Sequence, residues 1–240
     1  MEAKGKVAIV TGACGGGIGR STALTLAREG YTVVLNYRSQ SQAASQLERV
    51  IANMGGTALP VRGDVFCKDG CVRLVEQTLE AFGRVDVCII GPGAGWNCEP
   101  VQELDSLAAL ADVEQETAPL YHLLPLVVPE MAKRHWGRLI AFSSNMDCPS
   151  PSYSYNAAKC ARTQAVLRAA PALWEKGITA NVISPGPVDP FDSLEEAVNA
   201  CRNRKGEGRK ISPQEIGEAV AFLCSPQADC ITGNELKFQF

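Results

Sequence analysis

Short apolar runs rich in valine and isoleucine alternate with longer amphipathic stretches along the chain. VAIVTG at residues 7–12 has the pattern of a buried strand, and residues 18–30 that of a helix with Gly30 at its C-cap. TVVLN at 32–36 is a second strand, followed by a helix over 41–54 closed by Gly55 and Gly56. TALPVRGD, a helix over 68–82 and VDVCII at 85–90 continue the pattern. Residues 104–132 are helical material interrupted or bent by Pro119, Pro125 and Pro129. GRLIAFSS then gives a fifth strand, residues 155–176 a helix, and GITANVIS a sixth strand. Ser212-Pro213-Gln214-Glu215 has the form of a capping box with proline at the first helical position, and ITGNELKFQF supplies a last short strand. The strands are apolar throughout rather than alternating, so both faces of their sheet must be covered. That predicts an α/β fold: a doubly wound parallel sheet of about seven strands flanked by helices.

The 240 residues suffice for one such domain, and no composition shift, repeat or low-complexity linker divides them. A single domain over residues 1–240 is expected, with residues 187–211 as a lid over the substrate. At 46% hydrophobic and 20% charged the composition is globular, and the formal charge of −3 argues against general nucleic-acid or membrane-surface binding. No apolar run approaches the roughly 20 residues needed to span a bilayer. The chain enters an apolar strand almost at once, leaving no room for a secretory signal, so the expected location is cytoplasmic. Ten cysteines are scattered without a C-x-x-C pair, and His122 and His135 are the only histidines. Neither a disulfide framework nor a metal site is expected, and the histidines are taken as ordinary helix residues.

The first strand runs directly into TGACGGGIGR and then a helix. Glycines at that point let the backbone turn tightly and approach a pyrophosphate, whose charge is favoured by the N–H groups at the helix start. This is the arrangement of a Rossmann dinucleotide site. The second strand ends Leu35-Asn36-Tyr37-Arg38-Ser39, with no acid for the ribose hydroxyls and an arginine able to pair with a phosphate. NADP is therefore the expected cofactor, with NAD as the alternative. Asp64, at the end of the third strand, is placed to accept from an adenine amine.

Tyr155 and Lys159 stand four residues apart at the start of a helix, which puts both on one face. A nearby ammonium favours the phenolate, so Tyr155 is expected to have a lowered pKa and to exchange a proton with a carbonyl or alcohol oxygen. Ser143-Ser144, ending the fifth strand, can donate to the same oxygen. The strand ends of doubly wound folds are where ligands bind, so these groups converge on the side of the glycine loop.

These residues bring a resemblance into view. TGACGGGIGR, GDV at 63–65, GRVDVCIIGPGAG, GRLIAFSS, YNAAK, ITANVISPGPV and AVAFLCSPQADCITG resemble the short-chain dehydrogenase/reductase family over essentially the whole chain. The pattern is most similar to the branch of 3-oxoacyl-carrier-protein reductases and related carbonyl reductases. The resemblance implies an NAD(P)-dependent oxidoreductase with Tyr155 as general acid/base, Lys159 on the nicotinamide ribose and Ser144 on the substrate oxygen. It implies Gly12, Gly17, Ile18 and Gly19 around the pyrophosphate, and Asp64 and Val65 at the adenine. Pro185, Gly186 and Val188 fall at the nicotinamide, and Gly91 and Gly93 complete the cofactor-binding set. The implied partner is a small carbonyl or secondary alcohol, an acyl-carrier-linked substrate among the candidates, and the implied assembly a homotetramer or homodimer.

The chain also departs from that family. The glycine loop is one residue longer, and the family's N-N-A-G is Ile90-Gly91-Pro92-Gly93. A catalytic asparagine belongs after Asp112-Val113, where Glu114, Gln115 and Glu116 stand instead. Ser144 precedes Tyr155 by eleven positions, two fewer than usual, so Ser143 is a candidate for the same role. Asp189-Pro190 replaces the usual threonine after P-G-P-V. Glu114 and Glu116 are expected to be solvent or interface charges, with a relay function as the alternative. These departures motivate an alternative, a degenerate member that binds cofactor or partners with little catalysis. An enoyl reductase is disfavoured because that branch spaces its tyrosine and lysine more widely than Tyr155 and Lys159. The lid holds a helix over 194–204 and the basic residues Arg202, Arg204, Lys205, Arg209 and Lys210, a solvated hinge or an attractor for an anionic substrate. Trp96 is a candidate apolar wall of the pocket.

Overall fold

The first apolar run, β1 (Val7–Val10), is buried at all four positions. After it come α1 (Ile18–Arg28), β2 (Thr32–Tyr37), α2 (Ser41–Asn53), β3 (Thr57–Arg62), α3 (Lys68–Phe82) and β4 (Val87–Ile90). The second half consists of α4 (Ser106–Ala132), β5 (Gly137–Phe142), α5 (Tyr153–Trp174), β6 (Ile178–Ser184), α6 (Leu194–Asn203), α7 (Pro213–Leu223) and β7 (Glu235–Lys237). This computed structural model describes residues 3–95, 99–145, 147, 152–206 and 211–238, so Trp96, Arg209 and Lys210 lie outside the described residues.

The seven strands form one sheet in the order β3-β2-β1-β4-β5-β6-β7, every pairing parallel. Because strand side chains alternate, each face of the sheet carries its own apolar layer. Ala8, Val10, Val33 and Leu35 pack under α1, α2, α6 and α7. Val7, Ile9, Val34 and Ile90 pack under α3, α4 and α5. The chain leaves β1 towards β2 on one side and returns to β4 on the other. The reversal opens a crevice above the ends of β1 and β4, the usual place for a ligand in an open α/β sheet.

Two elements differ from the sequence reading. α4 runs unbroken through Pro119, Pro125 and Pro129. It starts on Asp105, whose Oδ1 accepts from the N–H groups of Leu107 and Ala108, each at 2.9 Å. α6, in the segment expected to be a lid, is packed down rather than free. Ala197, Ala200 and Cys201 are buried against the α1 layer, and Arg28 of α1 donates to the Cys201 carbonyl at 2.6 Å. α7 begins at Pro213 with both halves of the expected capping box formed. The sheet ends at one edge on β3, which carries Pro60 and an exposed Arg62, and at the other on the short β7. Among the described residues, no helix is long and apolar enough to cross a membrane.

Candidate active site

The loop from β1 to α1 turns at Gly12, whose φ of +65° is left-handed and whose missing Cβ leaves room for the Pro92 ring. Gly19 lies so close to the Gly12 carbonyl that any side chain there would collide with it. Gly15 and Gly17, between these two contacts, meet nothing within 4 Å, so the additional residue is taken up as an outward bulge. Gly17 caps α1 without a side-chain hydrogen bond, which leaves the first-turn N–H groups available to an anion. An open glycine cradle on an uncapped helix start fits a pyrophosphate.

From this loop a groove runs both ways across the strand ends. Towards β2 and β3 it is a cavity of about 290 Å³ whose walls include Arg38, Ser39, Asp64 and Val65. The Arg38 guanidinium lies over the Phe66 ring at 5.9 Å, and Asp64 Oδ1 accepts from the Phe66 N–H at 3.0 Å. Asn36 is buried beneath, accepting from the Gly12 N–H at 3.3 Å and donating to the Gly63 carbonyl at 2.9 Å. Asn36 thus ties the glycine loop to the end of β3. Towards β5 and β6 lies a cavity of about 430 Å³, and the two share Gly12 and Pro92. Gly12, Gly17, Ile18, Gly19 and Gly91 line this second part on one side, and Pro185, Gly186 and Val188 on another. Ser144, Tyr155 and Lys159 complete it. Of the anticipated site residues only Gly93 is off these walls; it packs against the Glu116 carboxylate, leaving no room for a side chain.

The first turns of α5 place the Lys159 ammonium 5.2 Å from the centre of the Tyr155 ring. Ser144 hydrogen-bonds the Tyr155 phenol. Ser143 is engaged elsewhere, its hydroxyl donating to the Lys159 carbonyl at 3.2 Å and accepting from Thr163 Oγ1 at 2.8 Å. Of the two serines, Ser144 is the one that meets the phenol. The expected lowering of the Tyr155 pKa does not hold here. Burial and the Glu116 charge push the phenol above its ordinary value, against the Ser144 hydrogen bond and the Arg162 charge. Lys159 is pushed down, chiefly by burial and also by Arg162, while Glu116 opposes.

Glu116 is the second correction. Glu114 is exposed, but Glu116 is wholly buried, with Lys159 Nζ at 3.0 Å and Arg162 Nε at 2.8 Å from its Oε1. Arg162 was passed over in the sequence, yet it stands three positions after Lys159 on the face that α5 buries. A buried guanidinium requires an anion, and that requirement was the available signal. Arg162 donates to the carbonyls of Gly91 and Phe142 at 3.3 and 3.0 Å, and to that of Pro92. Thr11 Oγ1 donates to the Ile89 carbonyl and accepts from the Gly91 N–H, both at 2.9 Å. Arg162 and Thr11 together join the ends of β1, β4 and β5. Just after α6, Arg204 is paired with Glu29 and Glu218 at 2.9 and 3.3 Å, so its charge is already answered.

Comparison with known proteins agrees with this geometry. Residues 12–238 match the family model described as enoyl-(acyl carrier protein) reductase. The putative oxidoreductase YtkK of Bacillus subtilis (strain 168) is 30% identical over 236 residues, covering 92% of this chain and 90% of that protein. The 7alpha-hydroxysteroid dehydrogenase of Escherichia coli (strain K12) is 30% identical over 245 residues, covering 98% and 93%. A 7 alpha-hydroxysteroid dehydrogenase complexed with NADH and 7-oxo glycochenodeoxycholic acid superimposes with a TM-score of 0.83 at 28% identity, covering 98% of this chain and 93% of that one. An NAD+-bound xylitol dehydrogenase gives 0.84 at 25% identity, covering 99% of both chains. The chain belongs to the short-chain dehydrogenase/reductase family. It is an NAD(P)-dependent oxidoreductase with a seven-stranded Rossmann sheet.

Proposed function

We propose that the protein interconverts a ketone and a secondary alcohol with NADP(H), Tyr155 being the general acid/base, Lys159 its partner and Ser144 the donor that orients the substrate oxygen. The observation that carries this reading is the convergence of those three side chains on a cavity continuous with the glycine cradle. When bound, a nicotinamide supplies or accepts the hydride. Ser144 and Tyr155 hold the carbonyl oxygen between two hydroxyls. Tyr155 Oη releases its proton to that oxygen as negative charge develops there. The raised phenol pKa suits the reductive direction, since Tyr155 keeps its proton through neutral pH. Lys159, beside the ring, stabilises the phenolate left behind.

Arg38 and Ser39, with no acid at the end of β2, support NADP over NAD. Tyr155 and Lys159 one helical turn apart support carbonyl rather than carbon–carbon double-bond reduction, whatever the matching family model is called. Substrates include cyclic ketones, as suggested by the hydroxysteroid dehydrogenase relatives, and 3-oxoacyl thioesters, for which exposed Arg202 and Lys205 offer positive charge at the lid. All described cysteines are free thiols, which suits the reducing cytoplasm. The test is a panel of cyclic ketones, oxosteroids and 3-oxoacyl thioesters followed by NADPH absorbance, with NADH in parallel. Tyr155→Phe should abolish turnover while leaving NADPH binding, read by fluorescence, intact. Unchanged turnover in that variant, or no NADPH binding by the wild type, defeats the reading.

A further inference from the structure

The proton transfer just described makes no use of Glu116, although the molecule invests heavily in that side chain. Both its oxygens are held: Oε1 by Lys159 and Arg162, Oε2 by the Ala94 N–H at 2.7 Å. The neighbouring loop follows its shape, since a Cβ on Gly93 would collide with the carboxylate. Arg162 also donates to the Glu116 carbonyl, through Nε at 2.8 Å and Nη2 at 2.6 Å. Among the described residues, the charged and titratable groups around Glu116 are Tyr155, Lys159 and Arg162 on α5, with buried Asp112 one turn earlier on α4. The segment just after β5 presents the hydroxyls of Ser143 and Ser144, and residues 91–95 after β4 carry no titratable side chain.

A proton relay needs a path to solvent, and Glu116 has zero exposure and no oxygen left unheld. What such a group can do is hold its neighbours in place. We propose that Glu116 is a positioning residue: with Arg162 it fixes the Lys159 ammonium and the 91–94 loop in one register, so that Lys159 meets both Tyr155 and the cofactor from a set point. This task falls to Glu116 in a chain with no asparagine after Asp112-Val113. The inference rests on the role given to Tyr155 in the preceding reading.

The test compares the near-isosteric Glu116→Gln with Glu116→Asp, which keeps the charge but draws it back by one methylene. Thermal melting establishes folding. NADPH fluorescence gives affinity, and tyrosinate absorbance of the cofactor-free protein, with Tyr155→Phe as blank, follows the phenol directly. Glu116→Gln should lower kcat by roughly tenfold to a hundredfold with KM for the carbonyl little changed. Its NADPH affinity should also weaken. Removing the negative charge makes both Tyr155 and Lys159 lose their protons at lower pH. The alkaline limb of carbonyl reduction and the Tyr155 absorbance step should therefore both move down. Glu116→Asp should lower kcat while leaving the absorbance step near its wild-type position.

A folded Gln variant with wild-type kcat overturns the proposal, and so does a fall in kcat with neither pH readout moved, which would mean packing alone. If Glu116→Gln does not fold, an Asp variant with wild-type kcat overturns it, and failure of both to fold would reduce Glu116 to a folding residue. None of these outcomes touches the preceding reading, which stands or falls with Tyr155→Phe and wild-type NADPH binding.

Discussion

At the scale of single residues, the proposed preference for NADP rests on Arg38 at the wall of the groove. A guanidinium gains a charge-assisted pair from a ribose phosphate and nothing comparable from a ribose hydroxyl. Arg38→Ala should raise the Kd for NADPH on the order of tenfold to a hundredfold and barely change that for NADH. Titration with both nucleotides checks it, and an equal loss for the two would show that Arg38 only shapes the loop. Residues that act through backbone geometry or helix spacing were legible in the sequence: the glycines of the cradle, and Tyr155 with Lys159 one turn on. Two kinds were not. Ser143 and Ser144 lie at the end of a strand, where successive side chains point to opposite faces, so composition cannot say which one meets the phenol. Glu116 and Arg162 are 46 positions apart and meet only because α4 and α5 pack together, a contact that no local pattern encodes.

Secondary-structure elements carry the site through their ends. α7 starts at a complete capping box: the Gln214 N–H reaches Ser212 Oγ at 3.2 Å, and the Ser212 N–H reaches Glu215 at 2.9 Å. Glu215 also accepts from the Gly206 N–H at 3.0 Å, which ties down the segment leaving α6. Ser212→Ala should cost about 1 kcal/mol, read as a lower urea midpoint at unchanged slope. A shift of less than a few tenths would mean that the cap is redundant. This helix start was fully written in its four residues, because capping is local chemistry. The course of α4 was not. Three prolines argue for a break, and the packing of Leu120, Leu123, Val127 and Met131 against the sheet overrides them.

Taken as a whole, the molecule leaves apolar side chains on two separate outer faces. Leu107, Leu110 and Tyr121 of α4 and Trp174 of α5 are exposed on one, and Phe222 of α7 on another. Such side chains are candidates for an interface between copies, in line with the homotetramer or homodimer that the resemblance implies. Light scattering should give the mass of a dimer or tetramer, and Leu107→Glu with Leu110→Glu should reduce it; a monomeric wild type would refute the assembly. The sheet itself limits how copies can join. At the β3 margin Pro60 has no amide hydrogen to lend and Arg62 carries charge into the solvent, so a stray chain finds an interrupted template there. That flank is a poor template for an added strand, which leaves the helical faces and the β7 rim as the better surfaces for joining copies.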